Sequence, residues 1–400
     1  MTVSNRSDVY YDMYDVGINA DPYPVYRRLR EESPLYYNDV HDFYAVSRYE
    51  DVERGLLDPQ TFISGRGGIL ELIKANIPMP PGVLIFEDPP VHSIHRRLVS
   101  RAFTARRVAE LEAKVREFCG RCFDPLVGAK EFDLIADLGA LVPMRTIGLL
   151  LGIPEGDQVA IRDQVDASLR TEEGKPMAVT EETQLVGGEM FAQYIEWRAA
   201  HPSDDLMTEL LQVEFEDETG TIRGLSRDEL LIFVNVIAGA GNETTNRLIG
   251  WTGKVLADHP DQRRELVDDR SLIPNAIEEI LRYEPPAPHV ARYVARDVEV
   301  QDQTVAEGSV MVFLTGSANR DDRRYPDGDR FDIHREFERL LTFGYGIHFC
   351  MGAALARLEG RIVLDELLNR FPEWDVDLAN AKLSPTSTVR GWEVLPVSTP

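Results

Sequence analysis

One cysteine, Cys350, lies in a run punctuated by glycine, Phe343-Gly344-Tyr-Gly346-Ile-His348-Phe-Cys350-Met-Gly352, and a helical pattern from Ala353 to Phe371 follows it directly. Glycine permits left-handed or closely approached backbone that other residues resist. The mouth of a helix presents unpaired N–H groups and the positive end of the helix dipole, which favour thiolate over thiol. A thiolate held this way can act as a nucleophile, a redox centre or a metal ligand; otherwise a free cysteine serves as buried filler. The only other cysteines, Cys119-Gly-Arg-Cys122, form a C-x-x-C inside a helical pattern (Leu111, Val115, Phe118, Cys122), which points to core packing.

Three further groups carry chemistry. His92 and Arg96 are four apart, so on a helix they share a face and can clamp one anionic group. Five arginines and no acid lie between His92 and Arg107, a local reversal of charge in an acidic chain. Ala240-Gly-Asn-Glu243-Thr244 places two mid-helix propensity conflicts, glycine and threonine, beside an acid, and such conflicts mark either function or close helix packing. Glu279 and Arg282 are spaced i,i+3 and can pair.

Composition narrows the partners. The 400 residues include 43 basic and 68 acidic side chains, for a net charge of −25. That argues against nucleic acid or anionic membrane as the main partner, because both need a basic footprint. The polar N-terminal residues lack an apolar core of signal-peptide length. The longest apolar run, Leu230 to Ala240, is interrupted by Asn235 and is too short to span a bilayer. With a sparse, odd cysteine count, the expected location is the cytoplasm, with no membrane span.

The elements that must position these groups follow from pattern. Ser226 and Glu229 form a capping box that opens a proline-free helical run ending near His259-Pro260, roughly 48 Å long at 1.5 Å per residue. Ile273 to Tyr283 is a shorter helix, stopped by Glu284-Pro-Pro-Ala-Pro288. Leu35 to Asn38 and Phe43 to Ser47 read as a hairpin, and alternating segments between Arg292 and Leu314 read as strands. Residues 61–90 read as a long irregular loop. It is apolar and uncharged from Ala75 to Phe86, so it should cover a hydrophobic pocket. A break at Leu169 to Thr180 reads as a mobile surface loop.

His92…Arg96, the Ala240–Thr244 helix centre, Glu279-x-x-Arg282 and the loop Phe-x-x-Gly-x-His-x-Cys-x-Gly stand in the order in which cytochromes P450 carry them. From about Asp21 to Pro396 the chain resembles that family, and most of all its soluble bacterial members. The resemblance implies a mainly α fold with a small β-rich lobe, one domain over residues 1–400, and a flexible N-terminal segment at 1–20. It implies haem b (iron protoporphyrin IX) between the long helix and the cysteine loop. Cys350 matches the iron ligand, with Ala240, Phe343, Gly344 and Gly352 also at the cofactor. No general base is indicated for Cys350 and no partner cysteine stands near it in sequence, in keeping with a ligand role. His92, Arg96, Arg292 and His348 match the groups that bind the haem propionates. Glu243 and Thr244 match the acid–alcohol pair that relays protons to dioxygen. Glu279 and Arg282 match a buried structural pair.

The implied activity is that of a monooxygenase. It activates O2 and hydroxylates, dealkylates or epoxidises a hydrophobic small molecule. Electrons come from a separate ferredoxin with its reductase, since no flavin or iron–sulfur segment is present. The rivals are a peroxide-driven haem–thiolate peroxygenase and a non-catalytic haem-based sensor. Pocket candidates are Ile85, Phe86, Val236, Ile237, Ala240, Pro288, His289, Val290 and Val389, and Arg66 and Lys74 are the candidates for anchoring a substrate carboxylate. Arg97, Arg101, Arg106, Arg107 and Arg357 are the candidates for docking the ferredoxin, and a monomer is expected. Replacing the thiolate tests the ligand assignment: Cys350→Ala abolishes the far red-shifted Soret band of the reduced CO complex, and a retained shift overturns it.

Overall fold

The serine predicted to start the long helix caps it. In the computed structural model of the chain, which describes residues 8–179, 191–386 and 388–400, the Ser226 side chain accepts from the Glu229 N–H and the Glu229 side chain accepts from the Ser226 N–H. Helix Arg227–Asp258 then runs for 32 residues. A rod of that length crosses the whole molecule, and it is packed by helices Val142–Leu151, Ala353–Arg370 and Ile273–Tyr283. Gly241 shows what one of its small residues does: an added Cβ there would lie 2.4 Å from Ile147 Cδ1. At that position the helix conflict serves close packing, and the bulk is supplied from the neighbouring helix.

The architecture is mainly helical, with a β-rich lobe. Its largest sheet has five strands in the order Leu35–Asn38, Phe43–Val46, Val310–Phe313, Val290–Val294, Phe62–Ile63. The predicted hairpin pairs antiparallel, from Leu35 opposite Val46 to Asn38 opposite Phe43. Val310–Phe313 joins it in parallel, then pairs antiparallel with Val290–Val294, so Arg292 sits opposite Met311. Phe62–Ile63 closes the edge against Val294 and Tyr293. A strand 230 residues away thereby brings the 61–65 segment beside Arg292.

Two sequence expectations change. Residues 61–90 are not wholly irregular, for they contain the edge strand, helix Leu70–Ala75 and the turn Leu84–Phe86. Leu70, Leu72, Ile73 and Leu84 are buried. Six-residue helices are too short to display a period, so the pattern was invisible. The first twenty residues, expected to be loose, are anchored from Val9 on. Val9, Tyr11 and Tyr14 are buried in a second apolar cluster with Tyr26, Leu29 and Phe43, and the Asn38 side chain donates to the Tyr11 carbonyl at 2.9 Å. Helix Gln158–Leu169 ends where the break was expected, and that break is described only as far as residue 179. Cys119 and Cys122 are buried, in keeping with a packing role. No helix among the described residues is long and apolar enough to cross a membrane.

Helix Ala353–Arg370 buries one acid, Glu359, completely. Burial pushes its carboxyl up to about 8, against a smaller opposing effect of the Thr146 hydroxyl. The folded state therefore keeps a proton that the unfolded chain has already released. This contribution to stability falls as pH rises from the ordinary carboxyl value of 4.5 to about 8, by about 1.4 kcal/mol per unit. Glu359→Gln keeps the shape and removes the titration. Thermal unfolding followed by circular dichroism should show the variant gaining on the parent between pH 5 and pH 8, whereas parallel curves would contradict the buried protonated acid.

Candidate active site

The cysteine loop is supported from behind by helix Ile273–Tyr283, which presents Glu279 and Arg282, neither with any solvent exposure. Arg282 donates through Nε and Nη2 to the two Glu279 oxygens at 2.6 and 2.8 Å. Its remaining N–H groups reach the carbonyls of Asn319 (2.9 Å), Gly328 (2.6 Å) and Arg330 (3.1 Å). The Asn319 amide continues the chain of contacts, accepting from Leu341 N–H at 2.9 Å and donating to Thr342 Oγ1 at 2.7 Å. Leu341 and Thr342 lead directly into Phe343. The i,i+3 pair is thus structural, and its product is the position of the loop.

Within the loop, the Cys350 N–H donates to the Phe343 carbonyl at 2.8 Å. Gly346, at φ 69°, lies so close to Leu56 that an added Cβ would be 2.7 Å from its carbonyl oxygen, so only glycine fits. Gly352 departs from the expectation of special backbone: its φ is −79° and an added Cβ would make an ordinary 3.9 Å contact with the Cys350 sulfur. The Cys350 side chain is solvent-accessible, yet burial still pushes its thiol up. The N–H groups of Gly352 and Ala353 and the guanidinium groups of Arg96 and Arg357 oppose that rise. Arg357 also lies 4.4 Å from the Phe343 ring centroid and pairs with Glu278 at 2.5 Å.

His92 and Arg96 of one helix come together with the distant Arg292 and His348 in one cluster. The imidazole centroids of His92 and His348 are 4.2 Å apart. Arg96 donates to the Phe349 carbonyl, and Arg292 to the Ala291 carbonyl at 2.8 Å. His348 Nε2 meets Ser64 Oγ at 3.0 Å. Neither ring nitrogen of His92 has a partner among the described residues. Burial holds the His348 imidazole down to about 3, with Arg292, His92 and Arg96 repelling its charge further. Burial likewise holds Arg292 down to about 10. Among the described residues none of the four makes an ion pair. The nearby Asp88 carboxylate accepts from the Ser64 and Gly65 N–H groups at 2.8 Å each. A nest of buried and half-buried donors that make no ion pair among the described residues suits a ligand carrying carboxylates, so the residues fit the two propionates of haem.

At the centre of the long helix, Thr244 donates to the Ala240 carbonyl at 2.8 Å, and its side chain is partly exposed. Glu243 is buried and paired with Arg247, whose guanidinium also donates to the Trp392 carbonyl. Sequence reasoning missed Arg247, although the i,i+4 spacing was readable. It also missed Ser64, a small residue in a segment without periodicity.

The pocket candidates are placed unevenly. Ile237, Pro288 and Val389 are buried, Phe86, Val236, His289 and Val290 are half-buried, and Ala240 and Ile85 are exposed, Ile85 at 47%. The Arg390 N–H donates to the Pro286 carbonyl at 2.7 Å, which brings the Val389 turn onto the Pro288–Val290 turn. Phe86 and Arg292 both border Gly68, the ring carbon at 2.8 Å from where a Cβ would stand. Lys74 pairs with Asp42 at 2.5 Å, and Arg66 bonds Asn76 and faces the Tyr293 ring, so both are engaged elsewhere than on a carboxylate ligand. Of the docking candidates, Arg106, Arg107 and Arg357 are paired with Glu110, Glu209 and Glu278. Arg97 and Arg101 are exposed and make no ion pair among the described residues.

A family model described as Cytochrome P450 matches residues 188–390. The putative cytochrome P450 123 of Mycobacterium tuberculosis is 37% identical over 397 residues, covering 98% of this chain and 97% of that protein. The chain belongs to the cytochrome P450 family. The cytochrome P450 monooxygenase PikC of Streptomyces venezuelae is 34% identical over 386 residues, covering 94% of this chain and 91% of the relative. The solved structure of cytochrome P450 CYP109Q5 from Chondromyces apiculatus superposes with a TM-score of 0.85 at 34% identity, over 97% of this chain and 98% of that one. As a cytochrome P450 the protein is an oxidoreductase that uses haem b, and the haem iron supplies the centre at which O2 is activated.

The cationic cluster gives a test independent of turnover. Arg292→Leu removes a buried charge that makes no ion pair among the described residues and that burial disfavours, so the apoprotein should melt at higher temperature. The holoprotein should release haem to apomyoglobin about tenfold faster or more, the effect of losing one charge-assisted bond. Unchanged haem release would remove Arg292 from the clamp.

Proposed function

We propose that this cytochrome P450 inserts one oxygen atom of O2 into an apolar small molecule, with electrons from a separate ferredoxin. The observation that carries the oxygen-side reading is Thr244. Its hydroxyl proton is directed to the Ala240 carbonyl, which leaves the oxygen lone pairs free to accept. Beside it, Glu243 Oε1 is held by Arg247 while Oε2 has no partner among the described residues. A hydroxyl that can accept, next to a carboxylate with one oxygen unengaged, is suited to passing protons inward by way of water. A peroxide-driven enzyme has no use for such a relay. Cys350 is the proposed iron ligand, and His92, Arg96, Arg292 and His348 the proposed propionate clamps. The side chains proposed to line the pocket are apolar apart from His289, which favours a hydrophobic substrate.

Arg97 and Arg101 are the docking residues this reading retains, because they are exposed cations with no ion pair among the described residues, on a chain of net charge −25. An acidic ferredoxin would be steered to them in a salt-dependent way. Three measurements test the proposal. Thr244→Ala should keep consuming reductant while product per electron pair falls about tenfold or more and hydrogen peroxide is released. Turnover by the parent enzyme that is as fast with peroxide alone as with ferredoxin and reductase would favour the peroxygenase instead. Arg97→Glu with Arg101→Glu should raise the KM for ferredoxin and flatten its salt dependence, leaving the Soret spectrum unchanged.

A further inference from the structure

The apolar cover ends in a buried polar junction that the haem and oxygen chemistry does not use. Glu87 closes the cover on itself by accepting the Gly82 N–H at 2.8 Å. Both of its oxygens lie against His95 Nδ1, at 2.8 and 2.9 Å. The other ring nitrogen, Nε2, faces Glu229 Oε1 at 3.8 Å. Glu229 is the capping-box acid of the long helix, and Arg223 holds it with two bonds of 2.8 and 3.0 Å. All three central groups are buried, with His95 at 2% exposure, Glu229 at 5% and Glu87 at 8%. The rings of Phe215 and Phe233 stand edge-on around the imidazole, with centroids 6.0 and 5.3 Å away.

The backbone geometry repeats the message. Gly82 has φ 100°, and an added Cβ would stand 3.2 Å from Glu229 Cα. The cover therefore rests directly on the first turn of the long helix. Between Asn76, which ends helix Leu70–Ala75, and Glu87 there is no charged side chain, and Ile77 to Val83 form no helix or strand. His95 also belongs to helix Val91–Ser100, which carries His92 and Arg96. One imidazole thus joins three parts: the cover, the clamp helix and the head of the helix that crosses the site.

We propose that His95 is a positioning residue that latches the cover, Gly82–Glu87, onto the first turn of the long helix and thereby sets how fast an apolar ligand enters and leaves. This rests on the reading that Ile85 and Phe86 border the substrate pocket. A merely packed histidine would contribute stability and leave those rates alone. Here Nδ1 holds the cover through a charge-assisted hydrogen bond to Glu87, with Nε2 set at 3.8 Å from Glu229, and losing that bond opens a segment by about tenfold or more.

The test uses the haem-loaded protein, with His95→Leu and His95→Gln, and 4-phenylimidazole as the probe ligand. Hydrogen exchange read by mass spectrometry over residues 76–87 should quicken about tenfold in His95→Leu. Stopped-flow absorbance at the Soret band should show association and dissociation of 4-phenylimidazole both rising by a similar factor, with little change in Kd. His95→Gln, which retains one donor towards Glu87, should restore much of the parent behaviour. Should His95→Leu not fold, Glu87→Gln weakens the same contact from the cover side and carries the same expectations. Exchange equal to the parent overturns the latch, and so does faster exchange with unchanged ligand rates. Absence of any Soret shift in the parent would count against the proposed function instead, and the exchange measurement would still decide the latch.

Discussion

A guanidinium taken out of water must find acceptors for five N–H groups, and Arg282 finds them in one carboxylate and three carbonyls. The carbonyls belong to Asn319, Gly328 and Arg330, a stretch with no helix or strand of its own beyond Ala318. Such a stretch has many conformations and little to choose among them, and a buried cation supplies the choice. Glu279 adds to it by accepting the Asp332 N–H at 2.8 Å. Loss of either partner would leave an uncompensated buried charge, costing about 3–5 kcal/mol. The strength of the pair lies less in its own attraction than in the backbone it organises. Through Asn319, that organisation reaches Thr342 and so the cysteine loop.

The opposite arrangement holds where the propionates are expected. There the clustered nitrogens make no ion pair among the described residues, and burial holds His348 and Arg292 below their ordinary values. Satisfied charges build the scaffold, and unsatisfied ones mark the ligand. The same contrast appears along the long helix. Gly241 is filled by Ile147 and reads as packing, while Thr244, three residues on, keeps a partly exposed hydroxyl.

What could be read from sequence was what depends on neighbours in sequence. The Ser226–Glu229 cap and the Glu279–Arg282 pair are local devices that take their predicted form, and in the cysteine loop Gly344 and Gly346 do so while Gly352 keeps an ordinary backbone. The Glu243–Arg247 pair is just as local and was legible too. What escaped depends on distant pairing. Ser64 meets His348 because Phe62–Ile63 pairs with Val290–Val294, and no periodicity in residues 61–65 announces that. The burial of Tyr11 and Tyr14 likewise depends on the hairpin and on Tyr26, which lie outside the segment itself. Three of the arginines offered for docking proved to be paired with acids, a reminder that a run of like charge in sequence need not be a free patch in space.

The two sides of the site are held by bonds of very different number. Behind the cysteine, Arg282 alone anchors three separate backbone positions, whereas the cover from Ala75 to Phe86 carries no charged side chain of its own and leans on one histidine. Mutations therefore meet unequal resistance. Substitutions in the cover should leave Cys350, the proposed iron ligand, in place, whereas those that break the Glu279–Arg282 pair should loosen the loop that carries it. The lining of such a site is therefore freer to vary than the seat of its cysteine loop.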